Sequence, residues 1–268
     1  MTDELPAAPP PLPQESGPPA TSLAGRLVNV FATPGDVFDE VRDTAPTVSN
    51  WLTPAILLIF IGWIGSTIVL SQPAIKQQLS EITDNAIRQR IEKMHLPKDQ
   101  AEKQIEIAEK VGAISTMIAM YAGPPFIAFL SPFAWGLIIW LGGAKVYKGN
   151  FSYMKAVEMV GLSNMIGVLD AIVRTLLILV MTNLFAAPSL ALLVKDFNPQ
   201  NPVHSLLALA NVMTVWLLVV RTIGLARLAR VSMAKAALWV VGIWAGYTGL
   251  FWGFGMIGQM VAKRMGGS

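Results

Sequence analysis

Residues Met159–Thr182 read MVGLSNMIGVLDAIVRTLLILVMT. Such a run is long enough to cross a hydrocarbon core of ~30 Å, which takes about 20 residues of helix. Its middle nevertheless carries an acid and a base, Asp170 and Arg174. Four residues apart on a helix, they share one face a turn from each other. The lean of helical side chains toward the N-terminus aims Arg174 at Asp170. Ser163 and Gly167 continue the stripe, while the other faces are mostly aliphatic. A spanning helix with one polar face is expected to turn that face away from lipid.

The rest of the chain follows the same chemistry. Of its 268 residues 53% are hydrophobic and 14% charged, with mean hydropathy +0.53. A soluble domain carries about 25% charged residues. The apolar residues gather in blocks of spanning length. The pattern predicts an all-α integral membrane protein. It comprises a five-helix transmembrane bundle, amphipathic interfacial helices and a polar helical extramembrane loop. The absence of Cys excludes disulfides, thiolate metal sites and cysteine nucleophiles. A net charge of +3 is too mild to suggest nucleic acid as a partner and fits basic residues at membrane ends. The expected environment is the lipid bilayer.

Residues 1–22 hold seven prolines and no Lys or Arg, the composition of a disordered tail. They contain no basic and apolar signal-peptide pattern, so the first span is expected to act as an uncleaved insertion signal. Residues 23–49 carry two apolar helical stripes, Leu23, Leu27, Val30 and Phe31, then Val37, Phe38 and Val41. Thr33-Pro34-Gly35 separates them, with Pro suited to a helix start. Both read as short helices in the interface plane. The membrane domain then runs over 50–262, followed by a short tail at 263–268.

Five spans are expected, at about 51–71, 114–141, 159–182, 205–223 and 236–259. The first opens on Trp51 and carries no charge; Gly62 and Ser66 form a small-xxx-small pair. Residues 72–111 change character, with seven basic and seven acidic side chains around an apolar stripe, and predict a polar helical hairpin outside the bilayer. The second span contains Pro124, Pro125 and Pro132, whose missing N–H groups free carbonyls that neighbouring helices must satisfy. Arg221 lies near the end of the fourth span, where it is expected to snorkel. In the fifth, Gly242, Gly246, Gly249 and Gly253 form one bare ridge for close helix packing, against another helix of this chain or a second subunit.

Lys and Arg set the orientation. The linkers after the second and fourth spans hold Lys145, Lys148 and Lys155, then Arg227, Arg230 and Lys235, whereas the one after the third holds only Lys195. This places the N-terminus in the cytoplasm and the C-terminus outside, in the cell (inner) membrane. The seven basic residues of 72–111 and Lys263 and Arg264 run against that assignment.

Three pieces carry a family resemblance: RLVNVFATPGDVFDEV ahead of a Trp-xx-Pro opening of the first span, GNFSYMKAV before the third, and WLLVVRTIGLARLARVSMAKAAL joining the last two. In this order and spacing the chain resembles the Ypt-interacting-protein (Yip) family, in its Yip-one domain of bacterial type. The resemblance implies five membrane helices and a cytoplasmic N-terminus. The Asp-Leu-Tyr-Gly-Pro-like signature of eukaryotic relatives that bind small GTPases has no match here, and only Ser152-Tyr153 echoes the later part of their pattern.

No pattern for catalysis or for metal or cofactor binding emerges. His95 and His204 are the two histidines, and zincin, Walker, nucleophile-elbow and dinucleotide-binding motifs are absent. Two readings follow. One is a non-catalytic scaffold or adaptor organising membrane partners, or a homo-oligomer, through the glycine face of 236–259. The other is a transporter or channel component that uses Asp170 and Arg174, since charge inside a membrane commonly marks an ion or proton path. A self-neutralising structural pair is the plainer account of those two residues.

Overall fold

The computed structural model describes residues 21–265 apart from 93, 95, 96, 196 and 200. The proline-rich segment up to residue 20, His95 and the last three residues lie outside the described residues. Among the described residues the fold is helical, with one isolated bridge between Ser189 and Asn211. Five helices are long and apolar enough to cross a membrane.

Helices α1 (Leu23–Ala32) and α2 (Pro34–Asp43) form where the stripes predict. The Ser22 hydroxyl accepts from the Gly25 N–H to cap α1, and Pro34 starts α2. Val30, Val37, Phe38 and Val41 are buried against helices α6 (Tyr153–Ser163) and α9 (Val212–Ala229). The largest apolar core therefore sits at one end of the bundle. Met159, Leu162, Leu225 and Leu228 complete it.

Helix α3 (Ser49–Ser71) is the first span and packs on α5 (Lys98–Trp140), α6 and α7 (Met165–Met181). Helix α4 (Pro73–Glu92) leaves it at once and lies along α5. At ~1.5 Å per residue, the 43 residues of α5 extend ~65 Å, twice the hydrocarbon thickness, so its first third belongs to the polar hairpin. The carbonyls that Pro124 and Pro125 cannot serve are met by α3. Ser66 Oγ donates to Met120 O at 3.4 Å and Trp63 Nε1 to Tyr121 O at 2.7 Å.

The third span begins earlier than expected, at Tyr153, and is built from α6 and α7 joined at Asn164. The fourth begins later, at Val212, because the Asn211 side chain accepts from the Met213 and Thr214 N–H groups and starts a new helix there. The preceding apolar run forms the separate short helix α8 (Pro202–Leu209), capped by Asn201. Helix α10 (Met233–Met265) carries the fifth span and packs on α9. Half of the α9 span is buried but only 6% of the α10 span.

The tight helix crossings use glycines other than the predicted ridge. A Cβ on Gly161 would strike the backbone of Trp51, and one on Gly149 would come 2.7 Å from Ala229 Cα. Around Gly242, Gly246, Gly249 and Gly253 a Cβ would meet nothing within 4 Å. Among the described residues no other helix covers this glycine ridge.

Candidate functional site

Two polar constellations lie within the apolar framework, and a third lies on its flank. The first gathers at the α1–α2 end. Glu158, fully buried on α6, accepts from Asn50 Nδ2 at 2.7 Å and from the Thr47 N–H at 2.9 Å. Asn50 Oδ1 accepts from Arg26 Nη1 at 3.3 Å, and Arg26 Nη2 reaches Glu40 at 2.8 Å. Lys155 Nζ forms an ion pair with Glu158 at 3.6 Å, too far for a hydrogen bond, and has no hydrogen-bond partner among the described residues. Burial alone would raise the Glu40 carboxyl, but bonds from Arg26 and Thr21 hold it below its ordinary value of 4.5. The network joins α1, α2, α3 and α6. It fastens the two amphipathic helices to the bundle.

A second ion-pair set closes the same end. Arg227 Nη1 meets Asp39 at 2.9 Å, and Arg42 bonds Asp39, Asp43 and the Arg227 carbonyl. The Arg42 guanidinium holds the Asp43 carboxyl below its usual range. These pairs are partly exposed and each is worth little by itself. Together with Lys145, Lys148, Arg230 and Lys235 they make this the basic end of the molecule.

The second constellation is at the α6–α7 joint. Arg221, expected to snorkel, is buried, which corrects that reading. The helix α9 that carries it starts late, so Arg221 falls in its middle, facing α6. Its Nη2 donates to Asn164 Oδ1 at 3.0 Å, and its guanidinium stacks 4.4 Å from the Trp135 ring centre. No carboxylate pairs with it among the described residues, and its Nε has no acceptor. The signal was available in the sequence: a polar Asn in an apolar run, and an Arg amid aliphatic residues.

The third is the predicted stripe. Arg174 Nη2 and Asp170 Oδ2 are 3.3 Å apart, as their spacing demands. Ser163 does not join them; its hydroxyl donates to Met159 O in its own helix. Gly167 faces open space. Helix α7 packs on α3 through Thr175 against Gly65, and this leaves Arg174 side-chain exposure at 47% on the flank of the bundle. Asp170 Oδ1 is covered, with no hydrogen-bond partner among the described residues. At ~1.5 Å per residue Asp170 lies ~16 Å and Arg174 ~10 Å from the end of α7, inside the hydrocarbon depth.

Sequence reasoning missed Asn50, Lys155 and Glu158. An acid and a base three residues apart at the mouth of a span were the usable signal. Asn50, just before the interfacial Trp51, looked like a boundary residue. A family model described as the Yip1 domain matches residues 28–255. No curated protein and no solved structure matches the chain.

Proposed function

The chain belongs to the Yip1-domain family, and from that premise we propose that it is a non-catalytic scaffold or adaptor that organises partners within the membrane. The observation that carries this reading is the Asp170–Arg174 pair at mid-span, whose Arg174 side chain is 47% exposed on the flank of the bundle. A charged side chain at the centre of a spanning helix costs ~2.5–3.5 kcal/mol in lipid unless something polar covers it. A partner helix laid against α7 would supply that cover. The bare glycine ridge of α10 offers a second face of the same kind, open to close backbone approach. The charged residues of the other constellations are occupied in holding the bundle together. Basic residues at the α1–α2 end favour a cytoplasmic N-terminus, and so an inner-membrane orientation with the C-terminus outside.

A photo-reactive side chain placed at Gly167 or Gly246, both of which face open space, tests this reading in the native membrane. It is expected to yield protein adducts at both positions and lipid adducts at the lipid-facing Phe60. Lipid adducts at all three would overturn it.

The same pair supports a second reading, a water-lined path in a transporter or channel component. There Asp170→Asn and Arg174→Leu each abolish a flux from liposomes while insertion is retained. Protein-filled liposomes that pass no ion or solute exclude it.

A further inference from the structure

A cavity of about 720 Å³ lies where the polar hairpin meets the membrane, between the last turn of α3, the first half of α4 and the facing stretch of α5. Its lining is ordered along the helix axes. Leu70, Met117 and Tyr121 lie at the membrane end, on helices that continue into their spans. Lys76 sits in the first turn of α4, next to the end of α3. Asp84 and Glu109 lie at the far end; a Cβ on Gly112 would come 3.2 Å from the Thr83 methyl, so glycine lets α4 and α5 approach in that register. Lys76 and Asp84 are eight residues apart, ~12 Å along the helix.

These groups are not occupied with one another. Among the described residues the side chains of Lys76 and Glu109 form no hydrogen bond or ion pair, and the one side-chain partner of the Asp84 carboxylate is the Ser80 hydroxyl at 3.3 Å. Hydroxyls of Ser80, Thr83 and Thr116 line the wall between the charges, and those of Thr67 and Ser71, in the last turns of α3, line the membrane end. From the membrane outward the lining runs from this apolar and hydroxylic end, past Lys76 and the Ser80 and Thr83 hydroxyls, to Asp84 and Glu109.

We propose that this cavity binds the headgroup of a zwitterionic phospholipid with a primary ammonium end, a phosphatidylethanolamine, from the leaflet on the hairpin side. The order of the lining matches the order of that lipid. The glycerol end of the acyl chains lies against Leu70 and Met117, the phosphate against Lys76, and the ammonium against Asp84 and Glu109. The reach of the lysine and aspartate side chains closes the axial gap on either side of a short headgroup. Carboxylates accept hydrogen bonds from a primary ammonium, whereas a quaternary one has none to give and prefers an aromatic cage, of which Tyr121 alone is present. A headgroup whose one charge is its phosphate, as in phosphatidylglycerol, sets a neutral glycerol against Asp84 and Glu109 and gains no ion pair there. Exposed Met117 and Ile118 connect the cavity to the lipid-facing side of α5.

The test is native mass spectrometry of the full-length protein released from vesicles of equimolar phosphatidylethanolamine, phosphatidylcholine and phosphatidylglycerol. Phosphatidylethanolamine is expected to be retained about fivefold over phosphatidylcholine, the scale of a partly exposed charge pair. Asp84→Asn with Glu109→Gln should erase that preference while keeping phosphatidylglycerol, and Lys76→Gln should lower retention of all three. Glu81→Gln, on the same helix but outside the cavity, should change nothing. Equal retention of the two zwitterionic lipids in the unaltered protein, or an effect of Glu81→Gln as large as that of the double variant, would overturn the site. Displacement of the lipid by millimolar glycerophosphoethanolamine would overturn the membrane lipid as its source.

Discussion

The indole N–H of Trp63 donates to the carbonyl of Tyr121 at 2.7 Å, across the α3–α5 interface. Tyr121 is four residues before Pro125, whose ring nitrogen cannot return the usual helical bond. A helix that crosses lipid has no water to serve such a carbonyl, so a neighbour must. Trp63→Phe is expected to destabilise the protein by about 1–2 kcal/mol, the cost of one acceptor left unserved where lipid offers no donor. Pro125→Ala restores an N–H within α5 and should make Trp63→Phe nearly neutral. A denaturant titration of the double-mutant cycle in micelles checks this; additive losses would show that Trp63 acts through packing alone.

Asn50 and Glu158, 108 residues apart in sequence, are both fully buried and bonded to each other. Removing one member of a buried ionic set leaves the rest unpaired, at about 3–5 kcal/mol. Glu158→Ala is expected to cost that much, since it strands Lys155 as well as the Asn50 amide. Glu158→Gln with Lys155→Met removes both charges and keeps an acceptor, and should recover more than half of the loss. Equal destabilisation by the single and double variants in the same titration would refute the assignment.

These pairings explain which parts of the molecule could be read from the chain. Lipid enforces long apolar runs, so the five spans and the polar hairpin are written as composition. The faces of α1 and α2 are written as spacing, and Val37, Phe38 and Val41 are buried as their period implies. Asp170 and Arg174 pair because they are local. Glu158 and Asn50 are not local, and each alone looks like a residue at a span mouth. Arg221 looked terminal because Asn211, a helix cap, was read as the interior of an apolar span. Glycine showed the same limit. Gly161 and Gly242 are indistinguishable as letters, yet Trp51 presses on the first and nothing touches the second.

The docking of α1 should depend on pH through Glu40. Its carboxyl titrates below the ordinary 4.5 when folded, because Arg26 and Thr21 donate to it. A lowered folded value means that the stabilisation is complete above the ordinary value and is lost as pH falls through the folded one. Hydrogen exchange of α1 amides, corrected for intrinsic rate, is expected to stay constant from about pH 7 to pH 5 and to accelerate toward about pH 3. Glu40→Gln should exchange faster at neutral pH and converge with the unaltered protein in acid. A variant difference that persists at the acidic end would assign the effect to another group.

Arg221 and Asn164 make an asymmetric prediction, because one is charged and the other is not. Asn164 Oδ1 is the one hydrogen-bond acceptor that the buried guanidinium finds among the described residues. Asn164→Leu therefore leaves a desolvated cation with only the Trp135 ring, and should cost about 3–5 kcal/mol. Arg221→Met leaves a neutral amide unserved, which costs about 1–3 kcal/mol at most, and it relieves the burial of a charge. Adding Arg221→Met to Asn164→Leu should then raise stability above that of Asn164→Leu alone, although it removes a second native side chain. Arg221→Lys is not equivalent, since an ammonium cannot stack flat on Trp135 while donating to Asn164. Unfolding midpoints of the four proteins in one detergent decide the matter. If Arg221→Met proves the costlier single change, the guanidinium must be held by more than Asn164 and Trp135.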